Sequence, residues 1–313
     1  MLAYVRKRII GLIVVILGVT AMTFLLIRLA PGEPAEMIAI ARYGEENISD
    51  EMVSYIRDKE ELDKPIFCQY IRWLQNILKG DLGVSLSTGE PVLEEILTRL
   101  PATFKLAVCA LLLSVAFAIP LGVISAAHYN SITDRLTTTG AMLAESIPCF
   151  WLSLLLIILF SVNLGWLPSF GAGKIKHLVL PSVSLSVGMT AVTTRLTRSS
   201  MLEVLHQDYI TTAKAKGLSQ VRIVGHHALK NAMIPIVTII GIQFSHLMEG
   251  TVIIESIFGW PGIGKLLVDS IFVRDYAMIQ GCVLFFAVFV VIINLIVDLV
   301  YFLLDPKIKM KKG

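Results

Sequence analysis

The stretch Met201-Leu-Glu-Val-Leu-His-Gln-Asp-Tyr-Ile-Thr-Thr-Ala-Lys-Ala-Lys-Gly217-Leu-Ser219, continued by Val221-Arg-Ile-Val-Gly-His-His-Ala-Leu-Lys-Asn-Ala232, is a polar, basic interlude between two apolar runs. With Arg195 and Arg198 before it, the interlude spans about 40 residues, more than a connection between two packed helices requires. Its punctuation parses as a helix stopped at Gly217, a cap at Ser219 and a second helix. Such a pair would project as a knob, and Ala213, Ala215 and Gly217 are small enough to let another backbone approach. Physics alone leaves two roles open: a seat for a partner protein, or a basic helix lying on anionic headgroups.

The runs on either side place this knob in a membrane protein. The chain of 313 residues is 55% hydrophobic and 16% charged, with mean hydropathy +0.75, against about 25% charged residues in soluble domains. Runs able to cross a hydrocarbon layer of roughly 30 Å occur at Ile9–Leu29, Pro101–Ala127, Leu136–Leu164, Leu178–Val192, Met233–Ile254 and Gln280–Leu304. Pro181 and several serines interrupt the fourth, which a bundle tolerates because neighbours re-satisfy the backbone. The first run lacks a small-x-small cleavage site before Pro31 and reads as an uncleaved span rather than a signal peptide. Cys68, Cys109, Cys149 and Cys282 are too dispersed for a metal pair or a disulfide framework. Basic residues are not gathered with aromatics on a polar domain, so no nucleic-acid footprint is present.

Basic residues favour the cytoplasmic side of short loops. Arg6, Lys7 and Arg8 at one end, Lys307, Lys309, Lys311 and Lys312 at the other, and the 195–230 segment therefore belong inside. An even number of spans requires the same. The segment from about Ala30 to Leu100 then lies outside, and it is acidic, with Glu45, Glu46, Asp50, Glu51, Glu60, Glu61, Asp63, Asp81, Glu90, Glu94 and Glu95. Ser49 to Asp63 reads as a capped, solvated helix, and Gln69–Leu74 as an amphipathic stretch lying at the interface with Trp73.

At this point the residues resemble a known family. Asp208-Tyr-Ile-x-Thr-Ala213-Lys-Ala215-Lys-Gly217-Leu, then His227-Ala-Leu-Lys-Asn231-Ala and Pro235, looks like the ATPase-docking loop of binding-protein-dependent ABC importer permeases. The narrower resemblance is to the first permease of the dipeptide, oligopeptide and nickel importers. Leu29-Ala-Pro-Gly-Glu-Pro34, Gly80-Asp-Leu-Gly-Val-Ser85, Arg99-Leu-Pro-Ala-Thr103 and Pro148-x-Phe-Trp-Leu152 match it in order. So do Ile254-Glu-Ser-Ile-Phe-Gly-Trp-Pro-Gly-Ile-Gly264, Arg274-Asp-Tyr276, Asn294-Leu-Ile-Val-Asp298 and Leu304-Asp-Pro-Lys-Ile308. Thr211-Thr212-Ala213 and Lys230 depart from the broader importer pattern and are usual in the peptide and nickel branch.

The resemblance implies an all-α membrane protein with six transmembrane helices, the type I ABC importer permease fold, and an external segment after helix 1. Its divisions would be 1–100, a five-helix transmembrane domain at 101–305 with the docking loop at about 195–232, and a basic cytoplasmic tail at 306–313. Tyr209, Thr212, Ala213, Ala215, Gly217, His227 and Asn231 would form the coupling surface. Implied partners are a second homologous permease, two ATPase subunits, an external substrate-binding protein and membrane lipid. The chain itself would be no enzyme and bind no cofactor, ATP and Mg²⁺ being used by the ATPases.

Gly259-Trp-Pro-Gly-Ile-Gly264-Lys265 has phosphate-loop spacing, but Leu266 supplies no hydroxyl for Mg²⁺ and no soluble βα unit precedes it. It reads as a turn between the fifth and sixth spans, with Trp260 anchored at the interface. Polar residues within spans are pathway candidates by default, chiefly Glu145, His246 and Glu249. His246 and Glu249 share a helical face at i and i+3, too few ligands for a metal cage and better suited to pairing across the bundle. Asn294 and Asp298 suit a helix-packing clamp.

An ion-coupled secondary transporter is the competing class. It would want midplane ion sites and often an inverted repeat, and it has no use for a docking loop. The cargo is left open between nickel, a metal chelate and a di- or oligopeptide, the short Trp166–His177 loop resembling the nickel branch somewhat more. Topology is directly testable. In a cysteine-free background, a thiol reagent added outside is expected to label a cysteine at position 60 and spare one at 216, and the reverse pattern would overturn the orientation.

Overall fold

The computed structural model describes the backbone of residues 2–29, 33–44, 48–59 and 61–304; the side chains at 2–9, 27–28, 34, 37, 41–42, 249 and 298–304 fall outside that description. Arg6, Lys7, Arg8, Glu60, Glu249, Asp298 and the tail 306–313 therefore lie outside the described side chains. Among the described residues the regular structure is helical, with a lone antiparallel bridge between Val84 and Pro91. Among the described residues four helices are long and apolar enough to cross a membrane, and two sharply bent pairs raise the number to six if each pair is one span. The apolar stretch of the first helix described in this way, Ile10–Leu26, is shorter.

The chain divides into two compact units, Met1–Thr103 with Pro261–Val291, and Phe104–Trp260 with Ile292–Gly313. The first contains α1 (Leu2–Leu29), α2 (Pro34–Tyr43), α3 (Asp50–Lys59), α4 (Ile66–Leu78), the opening of α5 (Val92–Ala127), α12 (Ile263–Phe272) and the opening of α13 (Tyr276–Leu304). Ser49 caps α3 by accepting the Met52 N–H at 3.3 Å. Asp50 and Glu51 in the first turn and Arg57 and Lys59 in the last suit the helix dipole. Ile56 buries its side chain with Ala35 and Ala39 of α2. The amphipathic stretch packs on α1: Tyr70 and Trp73 of α4 set their rings 5.5 and 5.8 Å from Phe24. The Tyr70 hydroxyl also meets that of Thr20 at 2.9 Å. Such aromatic pairs add about 0.5–1.5 kcal/mol beyond the area they bury.

Sequence motifs far apart meet in this unit. Asp275, 1% exposed, accepts from the Ser85 hydroxyl at 2.5 Å, from the Ser87 hydroxyl and N–H at 3.2 Å each, and from the Met278 N–H at 3.1 Å. Thr103 accepts the Ile263 N–H at 2.8 Å, so an amide of the phosphate-loop lookalike is already spent within the chain. That segment is more than a turn. Gly262 opens α12, and Ile263 and Leu266 pack with Val92, Ile96, Met278 and Cys282.

The second unit holds α6 (Ile132–Ser146), α7 (Cys149–Leu156) with a π-helical continuation to Asn163, and α8 (Lys176–Leu205). It continues with α9 (Asp208–Ala215), α10 (Gln220–Arg222), a π-helical passage Ile223–Ala228 and α11 (Leu229–Phe258). Three expectations are corrected here. The third run is no straight span, because α6 and α7 meet at 99°; Ile147, before Pro148, is forced extended at φ −86°, ψ 119°. The fourth run does not end at Val192. It continues as helix through Arg195 and Arg198, since no Gly or Pro breaks it and acids on α6 receive both guanidiniums. Trp260 is not displayed at an interface but is 4% exposed, held where Gly259 turns left-handed at φ +61°.

α8 packs against α6, α7 and α11. Its crossing with α5 depends on Gly122, where an added Cβ would stand 2.5 Å from the Thr197 Cβ and 2.7 Å from the Thr194 carbonyl oxygen. Gly122→Val is therefore expected to insert but to lose about 1–3 kcal/mol through overpacking. Thermal unfolding in detergent, followed by loss of monodispersity, measures this, and a wild-type transition would refute the close crossing.

Candidate functional site: the helical knob between α8 and α11

The knob begins where α8 ends. Gln207 turns extended at φ −79°, ψ 149°, and α9 starts at Asp208. Ile210 and Ala213 on one face of α9 are buried with Met201, Ile223, Val224, Ala228 and Ala232, so α9 is clamped by the chain's own core. The helix closes as a Schellman motif, with the Leu218 N–H on the Ala213 carbonyl at 3.3 Å and the Gly217 N–H on the Lys214 carbonyl at 2.9 Å. Gly217 has φ +77°, and a Cβ there would meet nothing within 4 Å. Its requirement is conformational rather than steric within this chain.

The seven residues singled out from the sequence lie on this knob but not on one surface. Tyr209, Thr212, Ala215, Gly217 and Asn231 are exposed, His227 is half-buried and Ala213 is 8% exposed, turned into the core. Asn231 Nδ2 donates to the Tyr209 hydroxyl at 2.7 Å and to the His227 carbonyl at 3.1 Å, tying the start of α11 to α9. Ser219 has N-cap geometry without a side-chain cap bond. The second helix is not separate from the fifth span: α10, the π-helical passage and α11 follow one another without a break, and Pro235 is accommodated within.

Of the pathway candidates, Glu145 forms an ion pair with Arg195 on α8, both half-exposed. His246 is exposed on α11, and the Glu249 side chain lies outside the described residues. Asn294 accepts the Ser245 hydroxyl at 3.2 Å, joining α13 to α11 as a clamp would. Among the described residues no group of three His, Cys, Asp or Glu side chains is placed to hold a metal ion.

Sequence reasoning missed Asp134. Only 3% exposed, it takes a bidentate contact from Arg198 at 2.5 and 2.8 Å, the Ser125 hydroxyl at 2.5 Å and the Asn130 N–H at 2.9 Å. The Arg198 guanidinium also lies 5.5 Å from the centre of the Tyr129 ring. This cluster pins the α5–α6 corner to α8 two turns before the knob. The available signal was Arg198 itself, because a guanidinium within a largely buried helix demands a carboxylate partner.

Comparison with known proteins agrees with this architecture. Residues 118–310 match the family described as binding-protein-dependent transport system inner membrane component, and residues 1–107 match its N-terminal companion. The glutathione transport system permease protein GsiC of Salmonella paratyphi A is 42% identical over 99% of this chain and 100% of its own length. The protein of the same description from Escherichia coli strain K12 is 41% identical over the same shares. Among solved structures, an inward-facing form of the MetNI methionine ABC transporter superposes with TM-score 0.57 at 19% identity, covering 67% of this chain and 96% of that one. The chain belongs to the binding-protein-dependent transport system inner membrane component family. It is the permease component of an ABC importer and not itself catalytic, hydrolysis residing in separate ATPase subunits and capture in a substrate-binding protein.

Removing one partner of a buried ion pair costs about 3–5 kcal/mol, because the other is left uncompensated. Asp134→Ala should fall near the lower end of that range, since Arg198 keeps some access to water. Denaturant unfolding in detergent reads the loss. Asp134→Ala with Arg198→Met should recover much of it, and strictly additive losses would show that the pair is not coupled.

Proposed function

We propose that the chain forms the membrane path for a short peptide of the glutathione class, and that the α9–Gly217–α10 knob is the surface on which an ATPase subunit seats. The substrate reading rests chiefly on identity of 42% spread over 311 residues with permeases of glutathione transport systems. That outweighs the short Trp166–His177 loop, the feature that resembles the nickel branch. The working assembly is this permease with a second, homologous one, two ATPases and a binding protein on the far side. Both termini and the knob face the cytoplasm, and the α2–α4 segment faces outward. These assignments follow the distribution of Lys and Arg.

The observation supporting the seat is geometric. Ile210 and Ala213 anchor α9 inward while Tyr209, Thr212, Ala215 and Gly217 stay exposed, and both flanking helices run directly into spans. A push on the knob therefore arrives at α8 and α11 without crossing a flexible linker. Nucleotide-driven closure of the ATPases would move these helices and alternate access to the path.

Gly217→Val places a β-branched residue at a left-handed backbone position whose Cβ meets no atom of this chain within 4 Å. The variant is expected to insert normally, to co-purify with much less ATPase, and to lose the stimulation of ATP hydrolysis by loaded binding protein. Uptake of labelled glutathione by cells carrying the whole system should fall roughly tenfold or more, a change of about 1.4 kcal/mol or greater in coupling. Normal assembly and uptake in Gly217→Val would refute the seat. Uptake of Ni²⁺ but not of glutathione by the wild type would refute the substrate.

A further inference from the structure

We propose that α4 lies in the outer leaflet of the bilayer as an interfacial helix, with its uncovered apolar face seated on phospholipid acyl chains. The face concerned is not the one that carries Tyr70 and Trp73, which α1 already occupies. It is the stripe Phe67, Ile71, Leu74 and Leu78, whose spacing of i, i+4, i+7 and i+11 sets them in one row along the helix. Phe67 and Leu78 leave 72% and 82% of their surface uncovered, and Ile71 is exposed between them. Naming the outer leaflet rests on the orientation proposed above; burial of the stripe in lipid does not.

The roll of α4 about its own axis is fixed from two sides. α1 takes the side of Tyr70 and Trp73, and the Tyr70 hydroxyl meets that of Thr20 at 2.9 Å and donates to the Leu17 carbonyl at 3.3 Å. The turn before α4 takes the polar side. There the Gln69 amide donates to the carbonyls of Leu62 at 2.9 Å and Lys64 at 2.7 Å, and Arg72 pairs with Glu61. Rotating the stripe into the protein would break all of these contacts.

Depth decides what covers the stripe. The apolar stretch of α1 is Ile10–Leu26, and α4 is held to it by Tyr70 at Thr20 and by Trp73 at Phe24. At 1.5 Å per residue, Thr20 lies about 9 Å inside the Leu26 end. Interfacial amphipathic helices bury their apolar face by about 5–10 Å into the boundary between headgroups and acyl chains. A helix tied to a span at that depth meets hydrocarbon on whichever apolar side the chain leaves open. Met22, Leu25 and Leu26, at the same level of α1, are exposed as well, so both helices present apolar surface there. A water-soluble partner would reach the stripe only by entering the bilayer. Lys79, exposed just past Leu78, has a stem long enough to carry its ammonium to the headgroups.

The test places nitroxide labels on the full permease, assembled with its ATPases in nanodiscs of phosphatidylethanolamine and phosphatidylglycerol. Cys109, Cys149 and Cys282 are replaced by Ala, and single labels are carried by Phe67→Cys, Ile71→Cys or Leu78→Cys, each combined with Cys68→Ala. The native Cys68, exposed and in the row of Arg72 and Gln75, is the control. Power saturation compares collisions with oxygen, which concentrates in hydrocarbon, and with a water-soluble Ni²⁺ chelate. The ratio of oxygen to chelate accessibility is expected to be roughly fivefold or more higher at the three stripe positions than at Cys68, as a helix sunk to this depth requires. A chelate-dominated ratio along the stripe would overturn the proposal by placing it in water, and protection from the chelate on adding loaded binding protein would then assign the face to that protein. Exclusion of both reagents would overturn it as well, assigning the stripe to packing against the second permease. The three labels sit at exposed positions and are read separately, so a variant that fails to insert leaves the others to decide. Thiol labelling at positions 60 and 216 reads the orientation independently: a reversed pattern with an oxygen-rich stripe sinks the choice of leaflet alone, whereas the expected pattern with a chelate-rich stripe sinks the lipid contact alone.

Discussion

A helix that carries hydroxyls along much of its length and two arginines near its end cannot face lipid, and α8 is such a helix. Ser182, Ser184, Ser186, Thr193, Thr194, Thr197 and Ser200 are all buried on it. With hydropathy 1.2, it is the least apolar of the four long candidate spans and half buried, whereas the most apolar, with hydropathy 2.7, is 22% buried. The inversion of the soluble rule follows from the solvent: in hydrocarbon the polar face is turned inward, where Ser184 and Ser186 donate to carbonyls of α8 itself and Thr193 is met by a neighbouring helix. α6, α7 and α11 surround α8 for that reason. Gln243 of α11 donates to Thr193 at 3.0 Å, and Glu145 and Asp134 of α6 receive Arg195 and Arg198.

These contacts fix α8 within its unit. At 30 residues it is about 45 Å long at 1.5 Å per residue, beyond the roughly 30 Å of a hydrocarbon core. Part of α8 therefore extends past a layer of that thickness, and the knob follows its end at Leu205. The Asp134 cluster grips α8 at Arg198, and the Asn231–Tyr209 hydrogen bond closes the other side of the knob. Both contacts are short-range and directional, so they resist sliding more than apolar packing alone would.

Membrane spans and the knob were legible from composition and punctuation alone, because a run of apolar residues and a Gly–Ser stop each have one dominant physical meaning. The Pro148 bend was legible in principle, yet a continuous Leu136–Leu164 run hides it, since hydropathy records lipid compatibility and not direction. Ala213 read as a surface residue because its size suits close approach; the same size suits a tight core, and only the helical phase set by Ile210 distinguishes the two. Asp134 escaped because its partner is 64 residues away. Pairing across elements leaves no periodic mark. The Asp275 cluster is the same case at a separation of 190 residues, although both of its motifs had been noticed individually.

The distribution of close-packed glycines argues further about which parts can move. Gly122 meets Thr197, and Gly241 meets Val297, so the crossings of α5 with α8 and of α11 with α13 are backbone-close and leave no side chain able to yield. Gly217, by contrast, has open space around it. At Gly122 and Gly241 glycine is required for close contact, whereas at Gly217 it is required for φ. The close crossings and the open Gly217 surface are in keeping with the seat proposed above for an ATPase subunit.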